Sequence, residues 1–210
     1  MKTREEEILE WVKGPNVLDV GCTDHVVRGG SVYWLHKYLS DNFPDTVGID
    51  ISEENLQRMR SIGYKNLFNM DAESFSFDQS FDTIVAGELI EHLSNPGKFL
   101  ERAHTHLSPN GRLIITTQYP FTLLHILYAY LKYPKTCQNP EHTCWFCVEN
   151  MKNLVARYGF KENHFDLIMD YRLDNSSWKF KLFARLLIAF RFFIPKMMRS
   201  NTMLFVLERV

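Results

Sequence analysis

Two carboxylates and an imidazole crowd into one short stretch, Gly87-Glu88-Leu89-Ile90-Glu91-His92-Leu93. Carboxylate oxygens with a histidine nitrogen suit a divalent ion such as Mg²⁺, Mn²⁺ or Zn²⁺. The same groups can instead take a proton from a reacting hydroxyl. A distant histidine, in Asn139-Pro140-Glu141-His142-Thr143-Cys144, offers a fourth ligand or a second base. Glu88, His92 and His142 are therefore the candidate catalytic groups, and Glu88, Glu91, His92 and His142 the candidate metal ligands. A blander role, in which the histidine only packs a loop, stays open. Cys144 and Cys147 form a C-x-x-C with Cys137 nearby. A structural zinc needs four ligands, usually as two spaced pairs, so free thiols are the expectation.

These groups need a scaffold that delivers them together. Phe81–Ala86 has the apolar pattern of a buried strand, so the Glu88–His92 segment falls at a strand's carboxyl end, where open α/β sheets keep their ligand crevice. A helix is predicted from Pro96 to Leu107, started by Ser94-Asn95-Pro96 and closed by Ser108-Pro109-Asn110-Gly111. Further strands are predicted at Asn16–Gly21, Thr46–Ile51, Asn66–Met70 and Gly111–Thr117, with helices across Ser31–Leu39 and Ser52–Ser61. Alternation of this kind builds parallel βαβ units. Beyond Tyr119-Pro120 the pattern changes to an apolar helix over Phe121–Tyr133, a polar loop and a helix over Val148–Tyr158. Two closing strands follow, Phe160–Met169 and Met203–Leu207, with a basic, aromatic helix at Trp178–Phe193 between them. One domain over residues 1–210 is expected, with cap-like insertions at about 120–147 and 174–200.

The net charge of −1 disfavours wholesale nucleic-acid binding, but it is unevenly spread. Tyr171–Ser200 holds seven Lys/Arg against Asp174 alone, leaving 17 basic and 24 acidic residues elsewhere. The cationic segment 177–199 suits contact with an anionic membrane, a cap helix or a homodimer interface. No apolar run reaches the length of a spanning helix, and Met1–Val12 is charged and helix-like rather than a signal peptide. Four cysteines in a chain this long are no disulfide scaffold, so a reducing, cytoplasmic setting, peripheral to a membrane at most, is expected.

The cofactor is suggested by three acids at successive strand ends. Asp19-Val20-Gly21-Cys22 closes the first strand with a turn glycine, Asp50 ends the second and Asp71 the third. A glycine turn admits a ligand to the backbone, and an acid after the second strand can accept ribose hydroxyls. This favours a nucleoside over a phosphate ligand, and the G-x-G-x-x-G of dinucleotide sites is absent.

With Val17-Leu18-Asp19-Val20-Gly21-Cys22, Val47-Gly48-Ile49-Asp50-Ile51-Ser52, Asp71-Ala72-Glu73, Glu91-His92-Leu93 and Pro109-Asn110-Gly111-Arg112-Leu113 in this order, the chain resembles the class I S-adenosylmethionine (SAM)-dependent methyltransferases. The resemblance covers roughly 16–160. It implies a Rossmann-like, seven-stranded, mostly parallel sheet with helices on both faces and an antiparallel last strand. It carries Asp19 and Gly21 to the methionine side of SAM, Asp50 to the ribose and Asp71 to the adenine, with Cys22, Ile51, Ala72 and Glu88 as further cofactor contacts. The family's glycine loop is altered here, with Thr23 and His25 in place of glycines. Glu88-x-x-Glu91-His92 with His142 resembles the metal site of small-RNA 2′-O-methyltransferases, and its first part that of quinone-biosynthetic O-methyltransferases. The expectation is O-methylation of a small-molecule, sugar or lipid-linked acceptor, held under an aromatic overhang formed by Tyr119, residues 121–133 and residues 142–146. A metal-dependent RNA 2′-O-methyltransferase and a non-catalytic SAM-fold scaffold are the alternatives.

Overall fold

The computed structural model describes residues 2–23, 34–132, 139–170, 178–190 and 192–210. Asp24, His25 and Cys137, and the expected helix start at Ser31, lie outside these. Seven strands form one sheet: β1 (Val17–Val20), β2 (Val47–Asp50), β3 (Leu67–Asn69), β4 (Phe81–Gly87), β5 (Leu107–Gln118), β6 (Phe160–Ile168) and β7 (Thr202–Arg209). Their order is β3-β2-β1-β4-β5-β7-β6. β1 to β5 pair in parallel, and β7 runs antiparallel to both β5 and β6. This is the Rossmann-like sheet that the resemblance implies.

The order reverses at β1: the chain moves outward through β2 and β3, then returns to place β4 on the other side of β1. Such a switch point opens a crevice at the carboxyl ends of the two strands. It brings the turn after β1 beside the segment after β4.

The central strands are buried on both faces, as their largely apolar sequences require. Side chains alternate between two cores. Leu18, Val20 and Ile84 pack with Phe99, Leu100 and Ala103 of α4 (Pro96–His106). Val17, Val85, Ile114 and Val206 face the other way, onto Ile8 of α1 (Arg4–Leu9) and Leu35 and Leu39 of α2 (Leu35–Asn42).

Local signals explain the element ends. α3 (Glu53–Ser61) is capped by the Ser52 hydroxyl, which accepts from the Asn55 amide, with Glu53 and Glu54 at its positive end. In α4 the Asn95 side chain accepts from the Lys98 amide, and Pro96 opens the first turn, where its missing N–H is harmless. The expected turn Ser108–Gly111 lies within β5. Phe81 pairs with Leu107 but Thr83 with Arg112, so the four residues bulge, with Asn110 at φ +64°.

After β5 come α5 (Leu123–Lys132) and α6 (Val148–Arg157), and after β6 come α7 (Trp178–Ala189) and α8 (Lys196–Arg199). The helix expected to reach Phe193 ends at Ala189. Pro195, which cannot sit inside a helix, instead precedes α8. Among the described residues no helix is long and apolar enough to cross a membrane.

Candidate active site

A cleft of about 220 Å³ opens at the switch point. Gly21 lies on its floor at φ +75°, its amide bonded to the Ile49 carbonyl at 2.9 Å. A Cβ here would be strained and would meet Leu89 at 3.0 Å, so only glycine lets the turns after β1 and β4 approach so closely.

Asp50 stands at the end of β2. One carboxylate oxygen accepts from the Ser52 amide at 2.8 Å; the other accepts from the Thr23 amide at 3.1 Å and lies 2.7 Å from its hydroxyl. Asp71 accepts from the Glu73 amide at 2.8 Å, and Glu73 in turn accepts from the Asn95 amide at 2.7 Å, tying this rim to the start of α4.

Gly21, Asp50, Ile51, Asp71 and Ala72 of the expected cofactor set line the cleft, together with His92. Asp19, Cys22 and Glu88 do not. The strand pleat turns Asp19 to the opposite face, where its carboxylate meets the Nδ1 of buried His36 at 2.9 Å. Cys22 is packed with Trp34, Leu56 and Met59, and burial pushes its thiol far up, leaving an inert side chain. The apolar wall of Ile49, Met70, Leu89 and Leu93 went unpredicted. Its signal is plain hydrophobicity, which does not distinguish a cleft lining from a core.

Glu88 adopts φ +52°, and its carboxylate lies 3.6 Å from the guanidinium of buried Arg4. Arg4 also donates to Glu5 at 2.8 Å, so α1 braces the turn that follows β4. The chain then makes one 3₁₀ turn, Ile90–His92. Glu91 points inward and is 1 % exposed. One of its oxygens is 3.4 Å from the Gln118 amide, and the other is buried with no hydrogen-bond partner. Burial pushes its carboxyl above the usual carboxylate range.

His142 arrives from the loop before α6. Next to it, the Thr143 amide donates to the Glu91 carbonyl at 2.9 Å, and the Thr143 hydroxyl lies 2.7 Å from the Leu93 carbonyl oxygen. This tie sets the His142 ring 4.7 Å from His92, nearly perpendicular to it. Burial, reinforced by His92, holds the His142 pKa below the ordinary histidine value. Its Nδ1 is also buried without a hydrogen-bond partner.

Ligand atoms of Glu91, His92 and His142 all lie within 4.8 Å of one another. Of the four expected ligands, three thus come together, while Glu88 stands outside the group, facing Arg4. Cys22, Cys144 and Cys147 are free cysteines.

Residues 5–164 match a protein family described as a methyltransferase domain. Among curated relatives, the ubiquinone biosynthesis O-methyltransferase of Coxiella burnetii is 28% identical over 147 residues, 64% of this chain and 58% of that protein. The enzyme of the same description from Azorhizobium caulinodans is 30% identical over 115 residues, 52% of this chain and 42% of its own. The chain thus spans about half the length of these relatives. Among solved structures, a SAM-dependent methyltransferase from Archaeoglobus fulgidus superposes with a TM-score of 0.68 at 16% identity, covering 98% of this chain and 91% of that one. A possible histamine N-methyltransferase from Thermotoga maritima gives 0.66 at 14%, covering 98% and 87%. At these identities the structural likeness concerns the fold.

Proposed function

The chain belongs to the methyltransferase-domain family, and from that premise we propose that it is a SAM-dependent O-methyltransferase acting on a small, largely apolar acceptor. The observation that carries this is the junction at His92, which both lines the cleft and belongs to the Glu91–His92–His142 group. A cofactor seated along Gly21, Asp50 and Asp71 would present its methyl group toward that junction. Asp50 would accept hydrogen bonds from the ribose hydroxyls once the Thr23 hydroxyl gives up its place on the carboxylate, and the Asp71–Ala72 turn would border the adenine. The names of the curated relatives support oxygen as the methyl acceptor.

Methyl transfer is an in-line displacement at carbon. The acceptor oxygen forms its bond to the methyl group as the sulfonium bond breaks, and S-adenosylhomocysteine leaves. Most of the protein's contribution is alignment. A hydroxyl must also lose its proton, and a neutral imidazole within the group accepts it. His142 is available for this, since burial keeps its ring neutral before transfer, at some loss of basicity. The apolar cleft wall of Leu89 and Leu93 keeps water from competing as acceptor.

The same three side chains fit a divalent ion. Two imidazoles and one carboxylate form a common donor set for Zn²⁺, Mn²⁺ or Fe²⁺, and one oxygen of Glu91 and the Nδ1 of His142 are buried without a hydrogen-bond partner. Glu91, His92 and His142 would hold the ion, which would polarise the acceptor oxygen as a Lewis acid.

Calorimetry with S-adenosylhomocysteine, paired with turnover of SAM on an apolar catechol, tests the proposal. Saturable binding and transfer to oxygen are expected; an absence of binding would remove the enzyme reading. Loss of turnover on chelation, restored by Mn²⁺ or Zn²⁺, would select the metal mechanism over the imidazole base.

A further inference from the structure

α5, α7 and α8 do not line the cleft, and many of the exposed large apolar side chains lie on them or just after them. Leu182 and Leu186 of α7, and Phe190 just after it, whose amide still donates to the Leu186 carbonyl, recur at steps of four, and each is about half exposed. Helical residues at this spacing share one face. Tyr130 and Leu131 project from the end of α5 at 84% and 72% exposure, and Phe193 follows α7 at 85%. α8 packs against α5, so the two segments adjoin. Exposed apolar side chains concentrated in one region mark an interaction surface rather than ordinary scatter.

The charge around them narrows the partner. Residues 175–207 carry six Lys/Arg and no Asp or Glu, and residues 102–140 also contain no acid, in a chain with 24 basic and 25 acidic residues overall; of the six, Lys196 is paired with Asp166 of β6. Arg185 is exposed on α7 beside the apolar row. A second copy meeting this face through a two-fold axis would oppose cation to cation. Large aliphatic and aromatic side chains standing out among cations match the boundary between acyl chains and anionic headgroups.

We propose that the exposed row of α7 and the residues just after it dock on an anionic lipid bilayer, with Leu182, Leu186, Phe190 and Phe193 entering the headgroup–acyl boundary and Arg185 held at the phosphate level. This attachment is peripheral. It does not depend on the methyl-transfer reading, although it would place the cleft beside a pool of apolar acceptors.

Sedimentation of the full chain with vesicles of phosphatidylcholine alone, or with about 30% phosphatidylglycerol added, tests the inference. Binding to the anionic vesicles alone, weakened by 0.5 M salt, is expected. Arg185→Glu should weaken it by roughly tenfold, and Phe193→Ser by about tenfold. Both positions are exposed, so circular dichroism should remain that of the parent. A folded chain that stays in the supernatant with both vesicles would overturn the inference. So would equal binding to neutral vesicles, or a concentration-dependent dimer broken by Phe193→Ser. Affinity for S-adenosylhomocysteine, measured on the same variants, should not change, which separates this surface from the cleft.

Discussion

Gly21, Asp50 and Asp71 are each positioned by the strand they follow, whereas Glu91, His92 and His142 meet only because a loop 52 residues downstream is tied back to Glu91. On the wall proposed for the cofactor, parallel pairing of β1 with β2 and of β2 with β3 aligns the carboxyl ends, so the cleft-lining residues come with the sheet. On the acceptor wall, two main-chain carbonyls, those of Glu91 and Leu93, receive Thr143 and hold His142 in place. The first wall is fixed by the topology. The second is adjustable, and a loop can be exchanged there for another acceptor without disturbing the sheet.

If the two walls are separate, the largest effect comes from the acceptor side. His142→Ala should lower turnover of SAM on a catechol by roughly 10²- to 10⁴-fold, the usual worth of a positioned proton acceptor. Affinity for S-adenosylhomocysteine should stay within about twofold, because His142 does not line the cleft. A matching loss of cofactor affinity, seen by calorimetry, would show that the walls are coupled.

The reverse substitution lies on the cofactor wall. Hydrogen bonds to a charged carboxylate contribute about 1.5–3 kcal/mol, so Asp50→Ala should weaken S-adenosylhomocysteine roughly 10- to 100-fold. Thr23→Gly should act in the opposite direction on affinity. It removes the Thr23 hydroxyl from the Asp50 oxygen, leaving only the backbone amide of position 23 on it, at a small loss of loop order. If Asp50→Ala binds as tightly as the parent, the ribose contact lies elsewhere and the cofactor wall has been misassigned.

This contrast also explains what could be read from the sequence. The parallel sheet, the capped helix after Asn95 and the acids at Asp50 and Asp71 all follow from local pattern, because each is decided within a few residues. That Asp19 lies off the cleft was not legible, because alternation along β1 sends it away from Gly21, and its partner His36 is 17 residues distant. The placement of Glu88 was hidden for a similar reason. Its left-handed backbone and its pairing with Arg4 depend on α1 packing beneath β4, which spacing within Glu88–His92 does not encode. The approach of His142 to His92 had a chemical signal in the residue types. Its distance was set by Thr143, an unremarked hydroxyl.

The smallest effect belongs to Glu91, and it tests whether the acceptor wall is strained without a bound cation. A carboxyl whose folded pKa is raised binds its proton more tightly in the native state than in the unfolded chain. Its burial therefore costs nothing below the unfolded carboxyl pKa and becomes destabilising as pH rises through the folded value. Glu91→Gln removes the charge while keeping an oxygen to face the Gln118 amide. The melting temperature of the variant relative to the parent should thus increase from pH 4 to pH 8, measured in chelator. Adding Zn²⁺ or Mn²⁺ should raise the parent's melting temperature at pH 8 and leave the variant's unchanged if the three side chains hold a metal. A difference between variant and parent that is flat with pH would mean that the buried oxygen of Glu91 is already solvated or paired in solution. The acceptor wall would then be as settled as the cofactor wall.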